Sequence, residues 1–157
     1  MKPIRTLGLF LLLLTPTASI FGQEQFVELL RSDLRTDKVA ILTVAMELTD
    51  EESKVFWPIY REYELELSKL GDRRLAILRE YGKAYETMTD ENAKRLVNAW
   101  FKLQEDHLKL AKKYNGRIEK ALSTTVAARF VQVEHQFRLV AEIVLASEVP
   151  LVKAVKP

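Results

Sequence analysis

The sequence predicts an all-α protein: four helices built on a long antiparallel helical hairpin, with shorter terminal helices packed across it. Three observations carry that expectation. Gly and Pro number only five each in 157 residues, while the strong helix formers Leu, Ala, Glu, Lys and Arg are abundant. Apolar residues recur at alternating spacings of three and four through most of the chain, the period of a helix face. Polar capping residues punctuate the pattern at Thr49, Thr89 and Ser123, where new helices are expected to start.

Residues 1–22 stand apart from that pattern. Lys2 and Arg5 precede the apolar run Leu7–Leu14, which Thr15-Pro16-Thr17 ends. A charged start, a short apolar stretch and a breaker form a secretory signal peptide. The run is far shorter than the ~20 residues a transmembrane helix needs, so cleavage near Gly22 and export are expected, with no membrane span in the product. A retained N-terminal anchor is the alternative. Residues 23–157 then form a single helical domain, with its core at about 26–146 and a frayed tail over 148–157.

The first helical stretch is expected over Gln25–Met46, with Phe26, Leu29, Leu30, Leu34, Val39, Leu42 and Met46 on one face and a weak centre at Asp33–Asp37. Leu48-Thr49-Asp50-Glu51-Glu52 reads as a capping box, Thr49 and Glu52 each satisfying the other's backbone amide. A long helix follows to about Thr87, with Phe56, Tyr60, Tyr63, Leu67, Leu70, Arg74, Ile77 and Tyr81 at heptad spacing. Pro58 lies too deep for a first-turn proline, so a kink is expected near Val55–Pro58. The next helix starts at Thr89 or Asp90 and runs to about Leu122, on a seam of Leu96, Trp100, Leu103, His107, Leu110, Tyr114 and Ala121, with Val97, Ala111 and Ile118 beside it. Ser123 caps a last helix lined by Val126, Phe130, Val133, Phe137, Val140 and Val144, which Pro150 ends. The short link at Met88-Thr89-Asp90 makes the two long helices antiparallel. That places Tyr63 opposite Tyr114, Leu70 opposite His107 and Ile77 opposite Trp100.

Charge and cysteine content narrow the function. Losing Lys2 and Arg5 with the leader brings 24 basic residues to 22, against 22 acidic ones. Such a chain has no surplus of positive charge with which to displace counterions from phosphates, so no nucleic-acid partner is expected. There is no cysteine, hence no thiol nucleophile and no disulfide framework. No Gly-rich phosphate loop or local Ser–His–acid arrangement is present either. No enzyme activity and no cofactor are expected.

The two histidines test a metal reading. Di-iron bundles use two Glu-x-x-His motifs, but here Gln104 precedes His107 and Gln132 precedes His135 at that offset. A neutral amide is a poor oxygen ligand for iron. His107 and His135 remain weak candidates for a looser zinc site. His107 lies on the apolar seam, where a satisfied core histidine is the simpler reading, and His135 is expected to face solvent.

The candidate partner-binding residues are Trp57, Arg74, Phe101, Lys109, Lys113, Arg117 and Lys120. Arg74 interrupts an apolar seam, and it either reaches out to pair with Glu105 or Asp106 or lines a basic concavity. Lys109, Lys112, Lys113, Arg117 and Lys120 fall along one side of the third helix. This stripe reads as a solvated face or, beside exposed apolar surface, as a rim for acidic or unfolded partners. Trp57 and Phe101 adjoin the seam positions Phe56 and Trp100, so they point toward the terminal helices or into a groove. Two helices cannot shelter a wide apolar band alone; the excess must meet the terminal helices, a second subunit or a client.

Two segments resemble the Leu-Thr-x-x-Gln motifs of the Spy/CpxP group of periplasmic proteins. Leu48-Thr49-Asp50-Glu51-Glu52 is similar to the first motif, and Leu122-Ser123-Thr124-Thr125-Val126, continuing to Phe130, to the second. Glu52 and Val126 stand where the motif has glutamine, and Ser123 where it has threonine. The resemblance spans roughly residues 26–146. It implies a helical hairpin that binds rather than catalyses: an ATP-independent chaperone or envelope-stress adaptor, with protein clients or an envelope protein as partner and a homodimer as one assembly. A periplasmic metal-responsive sensor and a structural or regulatory partner of one envelope protein are the alternatives.

Overall fold

A computed structural model describes residues 37–153. The leader, the apolar positions Phe26, Leu29, Leu30 and Leu34, and Lys156 lie outside the described residues. Those described are helical with short connections, and no strand occurs among them. Residues 37–46 form helix α1 as far as it is described; α2 spans Asp50–Ala84, α3 Asp90–Ala121 and α4 Thr124–Glu148. A 3₁₀ turn, Tyr85–Thr87, closes α2.

Local chemistry accounts for each start. The Thr49 hydroxyl accepts from the Glu52 amide at 3.3 Å, and the Thr49 amide donates to the Glu52 carboxylate at 2.9 Å. The box satisfies two amides that no helical carbonyl reaches. Those hydrogen bonds hold the Glu52 carboxyl below its ordinary range. Thr89 and Ser123 cap α3 and α4 by accepting from Asn92 and Val126. Leu48 and Leu122, each just before a cap, pack against the core. The motif-like residues Leu48, Thr49, Glu52, Leu122 and Ser123 thus act as helix starts anchored by one apolar side chain. The α1–α2 turn needs more than local help. Glu47 has φ 47°, a left-handed conformation that a residue with a Cβ adopts at a cost. Arg129 of α4 donates to the Met46 carbonyl at 3.0 Å and to the Glu47 carboxylate at 2.8 Å, which satisfies the helix end and pins the turn.

The sequence register between α2 and α3 runs antiparallel. Arg117 pairs with Glu62, Lys113 with Glu66 and Arg73 with Asp106, at 2.6, 2.6 and 2.7 Å. Numbers rise along α2 as they fall along α3. Tyr63 meets Tyr114 with ring centres 5.4 Å apart. Pro58 lies inside α2, which continues to Ala84.

The core is densest at one end of the helices. Leu42, Met46, Phe56, Tyr60, Leu103, Tyr114, Ile118, Ala127 and Phe130 are all but inaccessible. Four rings, Phe56, Tyr60, Tyr63 and Phe130, interlock there mostly edge to face, the closest pair 5.1 Å apart, which is the arrangement ring quadrupoles favour. Three expectations need correcting. Trp100, placed inside the α3 seam, is 49% exposed, while Ile118 beside the seam is fully buried and Ala121 is exposed. Val140 and Val144, placed on the buried face of α4, are 63% and 57% exposed. The tail expected to fray from 148 is tied down through 153: the Tyr81 hydroxyl donates to the Pro150 carbonyl at 2.7 Å, and Lys153 pairs with Glu86.

Candidate functional site

Part of the surface that the helices leave uncovered is apolar. On α3, Val97, Phe101 and Leu108 are about half exposed, at spacings of four and seven that put them on one face. Phe101 and Leu108 line a shallow open depression with Asn98, Lys102, Gln104 and Glu105. The Trp100 ring lies 5.3 Å from that of Phe101, which widens the aromatic area. On α4, Val140, Ile143 and Val144 form a second uncovered stripe. Its residues follow the helix period but find too little neighbouring chain to cover them.

Of the aromatic candidates, Phe101 is open, whereas Trp57 is half-buried against the core, its ring set edge-on to Phe56 and Tyr60. Trp57 therefore packs inward rather than presenting itself to a partner.

The basic stripe is largely spent on ion pairs. Lys113 and Arg117 bind Glu66 and Glu62 across the α2–α3 seam and flank the buried Tyr114 ring at 5.1 and 4.9 Å. The Tyr114 hydroxyl donates to Glu66 at 2.9 Å. Lys109 lies 3.9 Å from Asp106. These contacts hold the Glu62 and Glu66 carboxyls below their ordinary range, through hydrogen bonds from Arg117 and Lys113 respectively. Asp106, bound by Lys102 and Arg73, is pulled to about 2. Exposed pairs of this kind contribute little each, and their effect here is to fix register. Lys109, Lys112, Lys113 and Lys120 are all exposed, and of these Lys112 and Lys120 make no ion pair with another described residue.

Arg74 does not take the partner expected of it. Asp106 pairs with the neighbouring Arg73, one position along α2. Arg74 is half-buried instead, and the charges it feels are Glu142 and Arg138 of α4. Burial depresses its guanidinium from the ordinary value.

A polar network that the sequence pattern did not single out crosses the core. The Lys38 ammonium of α1 donates to Glu64 at 2.6 Å and to Glu134 at 3.0 Å. It also lies 5.4–5.8 Å from the ring centres of Tyr60, Tyr63 and Phe137. Tyr60 donates to Glu64 at 3.0 Å and Tyr63 to Glu134 at 2.9 Å. One cation thus neutralises one of two carboxylates in an aromatic surround, and each of two phenols donates a hydrogen bond to one of them. Burial raises the Glu134 carboxyl, opposed by Lys38 and Tyr63. Burial and the nearby carboxylates raise both tyrosines as well. The one local signal for this network was Glu134 itself, an acid two positions after Gln132 and one after the buried Val133. Its partners lie 96 and 71 residues away, beyond any periodicity.

His107 is half-buried at a junction with three arginines, and its Nε2 is buried with no hydrogen-bond partner. Burial first, then Arg74, Arg138 and Arg73, push its imidazole down to about 4. His135 is exposed and its Nδ1 lies 3.1 Å from the Arg138 guanidinium. The guanidiniums beside His107 disfavour a second cation there, and no group of three His, Cys, Asp or Glu among the described residues could hold a metal ion. The His107 shift has a sign that can be measured. In the folded state His107 stays neutral while an unfolded chain protonates near 6.5, so unfolding takes up a proton between those values. Stability contributed by neutral His107 is present above about 6.5 and is lost as pH falls toward 4. Denaturant midpoints measured from pH 7 to 4 should fall more steeply for the native protein than for His107→Gln; equal slopes would refute the assignment.

No helix among the described residues is long and apolar enough to cross a membrane. No protein-family model, curated protein or solved structure matches this chain.

Proposed function

We propose that this protein is exported to the periplasm and works there, after losing its leader near Gly22, as an ATP-independent binder of unfolded or partly folded protein, a chaperone or stress adaptor of Spy/CpxP type. The observation that carries the reading is the pair of uncovered apolar stripes, Val97–Phe101–Leu108 on α3 and Val140–Ile143–Val144 on α4. A folded monomer rarely leaves this much bulky apolar side chain in water without a use for it. An extended apolar segment of a client laid against Phe101 and Leu108 would lose water from both partners, and Lys102 and Glu105 at the edge of the depression would set the rate of encounter. Binding of this kind is shallow and reversible. It has no catalytic step, and no nucleotide or other cofactor takes part.

The basic stripe enters less than charge alone suggests. Lys113 and Arg117 already hold Glu66 and Glu62, so Lys112 and Lys120, which have no ion pair among the described residues, are the side chains to meet an acidic client. The capping role of Leu48, Thr49, Leu122 and Ser123 supports a resemblance in architecture and leaves the two apolar stripes to supply affinity. A homodimer would cover one stripe and leave the other for clients.

The test is aggregation of a chemically denatured client, followed by light scattering with the purified protein at equimolar dose. Suppression is expected, and Phe101→Ser combined with Ile143→Ser should remove most of it while circular dichroism stays unchanged. Failure of the native protein to suppress aggregation refutes the reading. Capture of one dominant protein from envelope extract, in place of many, would replace it with a dedicated regulatory partnership.

A further inference from the structure

One cluster on the molecule has more cation than anion and more donors than acceptors. Arg73 and Asp106 bind each other at 2.7 Å, which brings their neighbours Arg74 of α2 and His107 of α3 to the same level of the two helices. Arg138 of α4 completes the group: it acts on both Arg74 and His107, and its Nη2 touches His135 at 3.1 Å. Asp106 is already held by Arg73 and Lys102, at 2.7 and 2.8 Å. The remaining carboxylate, Glu142, stands 3.7 Å from Arg138 Nε, too far for a hydrogen bond. Three polar groups are left over. Arg138 Nε and His107 Nε2 are buried without a hydrogen-bond partner, and Arg74 makes no hydrogen bond or ion pair among the described residues.

Buried polar atoms without partners are costly. Natural proteins seldom keep several together without something to satisfy them. We propose that Arg74, His107 and Arg138 form a binding site for a phosphate group where α2, α3 and α4 meet. The choice of phosphate over carboxylate follows from the direction of approach. A planar carboxylate suits the parallel fork of one arginine, whereas three donors arriving from three separate helices suit an oxyanion that accepts from several sides. An imidazole that stays neutral carries one ring proton, and a bound oxyanion selects the tautomer with that proton on Nε2. Glu142, tethered loosely to Arg138, is the group the ligand displaces. The site is independent of the apolar stripes and of the client-binding reading.

The same chemistry could come from free inorganic phosphate or from a phosphomonoester, and the experiment separates them. The full chain is titrated with inorganic phosphate and, in a second arm, with glycerol phosphate. Sodium chloride holds the ionic strength constant, and the His107 ring is followed by ¹H–¹⁵N NMR. The expected result is a saturable shift of His107 below about 10 mM ligand, with a rise in the thermal midpoint. Saturation by phosphate alone assigns the free ion; saturation by both ligands assigns a site open to a headgroup. Arg74→Gln should weaken binding about tenfold or more, while Phe101→Ser leaves it unchanged. If Arg74→Gln disturbs the helical spectrum, Arg138→Gln supplies the same comparison from α4. A linear drift without saturation, an equal shift in chloride alone, or undiminished binding by whichever variant folds would overturn the proposal.

Discussion

Replacing Lys38 with methionine should destabilise the protein by about 3–5 kcal/mol, the usual cost of removing one partner from a buried ion pair. For a domain of this size that lowers the thermal midpoint by roughly 10–20 °C. The side chains involved are well covered: 15% of Lys38, 19% of Glu64 and 10% of Glu134 remain exposed. Methionine keeps the length of the side chain and removes the ammonium with its contacts to the Tyr60, Tyr63 and Phe137 rings, so the loss isolates the cation. Two carboxylates would then face each other across a partly dry site with only phenols to satisfy them. The pH dependence gives a second handle. Glu134 already has a raised folded-state pKa, and losing Lys38 raises it further. An acid raised in the folded state gives stability that is full below its unfolded value near 4.5 and is lost as pH rises through the folded value. Lys38→Met should therefore lose most near neutrality and recover in acid. Adding Glu134→Gln should restore part of the stability at pH 7, because one carboxylate is removed and the amide oxygen still accepts from Tyr63. Urea midpoints for the three proteins at pH 7 and pH 5 decide it, and a loss under 1 kcal/mol for the single variant would show the network to be solvated.

Phe130→Ala should cost a similar amount, about 3–5 kcal/mol. The ring is 1% exposed and touches Phe56, Tyr60 and Tyr63. Those three neighbours are stiff aromatics that collapse poorly into a void, which keeps the cost at the upper end. The damage should also be local. Beyond Phe130, α4 has only Ala127 and Val133 fully buried, and its second half is uncovered. Hydrogen exchange should therefore speed up in α4 ahead of α2 and α3, whose ion pairs and Tyr63–Tyr114 contact do not involve Phe130. Uniform acceleration across all helices would mean that α4 does not open separately.

Helix positions were readable because their causes are short-range. A threonine or serine that caps an amide three residues on does so in any context, and Thr49, Thr89 and Ser123 start helices where the pattern placed them. The facing of Tyr63 and Tyr114 follows in the same way from heptad spacing and a short link. Periodicity failed where it had to say how much of a face is covered. Val140 and Val144 lie on the expected stripe of α4 but meet too little chain, and Trp100 lies on the α3 seam where α2 gives incomplete cover. The assignment of charges failed by one residue. Arg73, not Arg74, reaches Asp106, because a helix turns 100° per residue and a small rotation exchanges which neighbour faces the partner.

The chain's own order of residues thus determined that it is helical, where the long helices begin and end, and which rings can meet across them, since each depends on contacts within a turn or two. Only the tertiary structure decided that Lys38 joins Glu64 and Glu134 across 26 and 96 residues, that Arg74, His107 and Arg138 converge, and which apolar stripes stay in water. Those outcomes depend on helix rotation and on how much neighbouring chain is left to cover a face, and neither is written into local spacing.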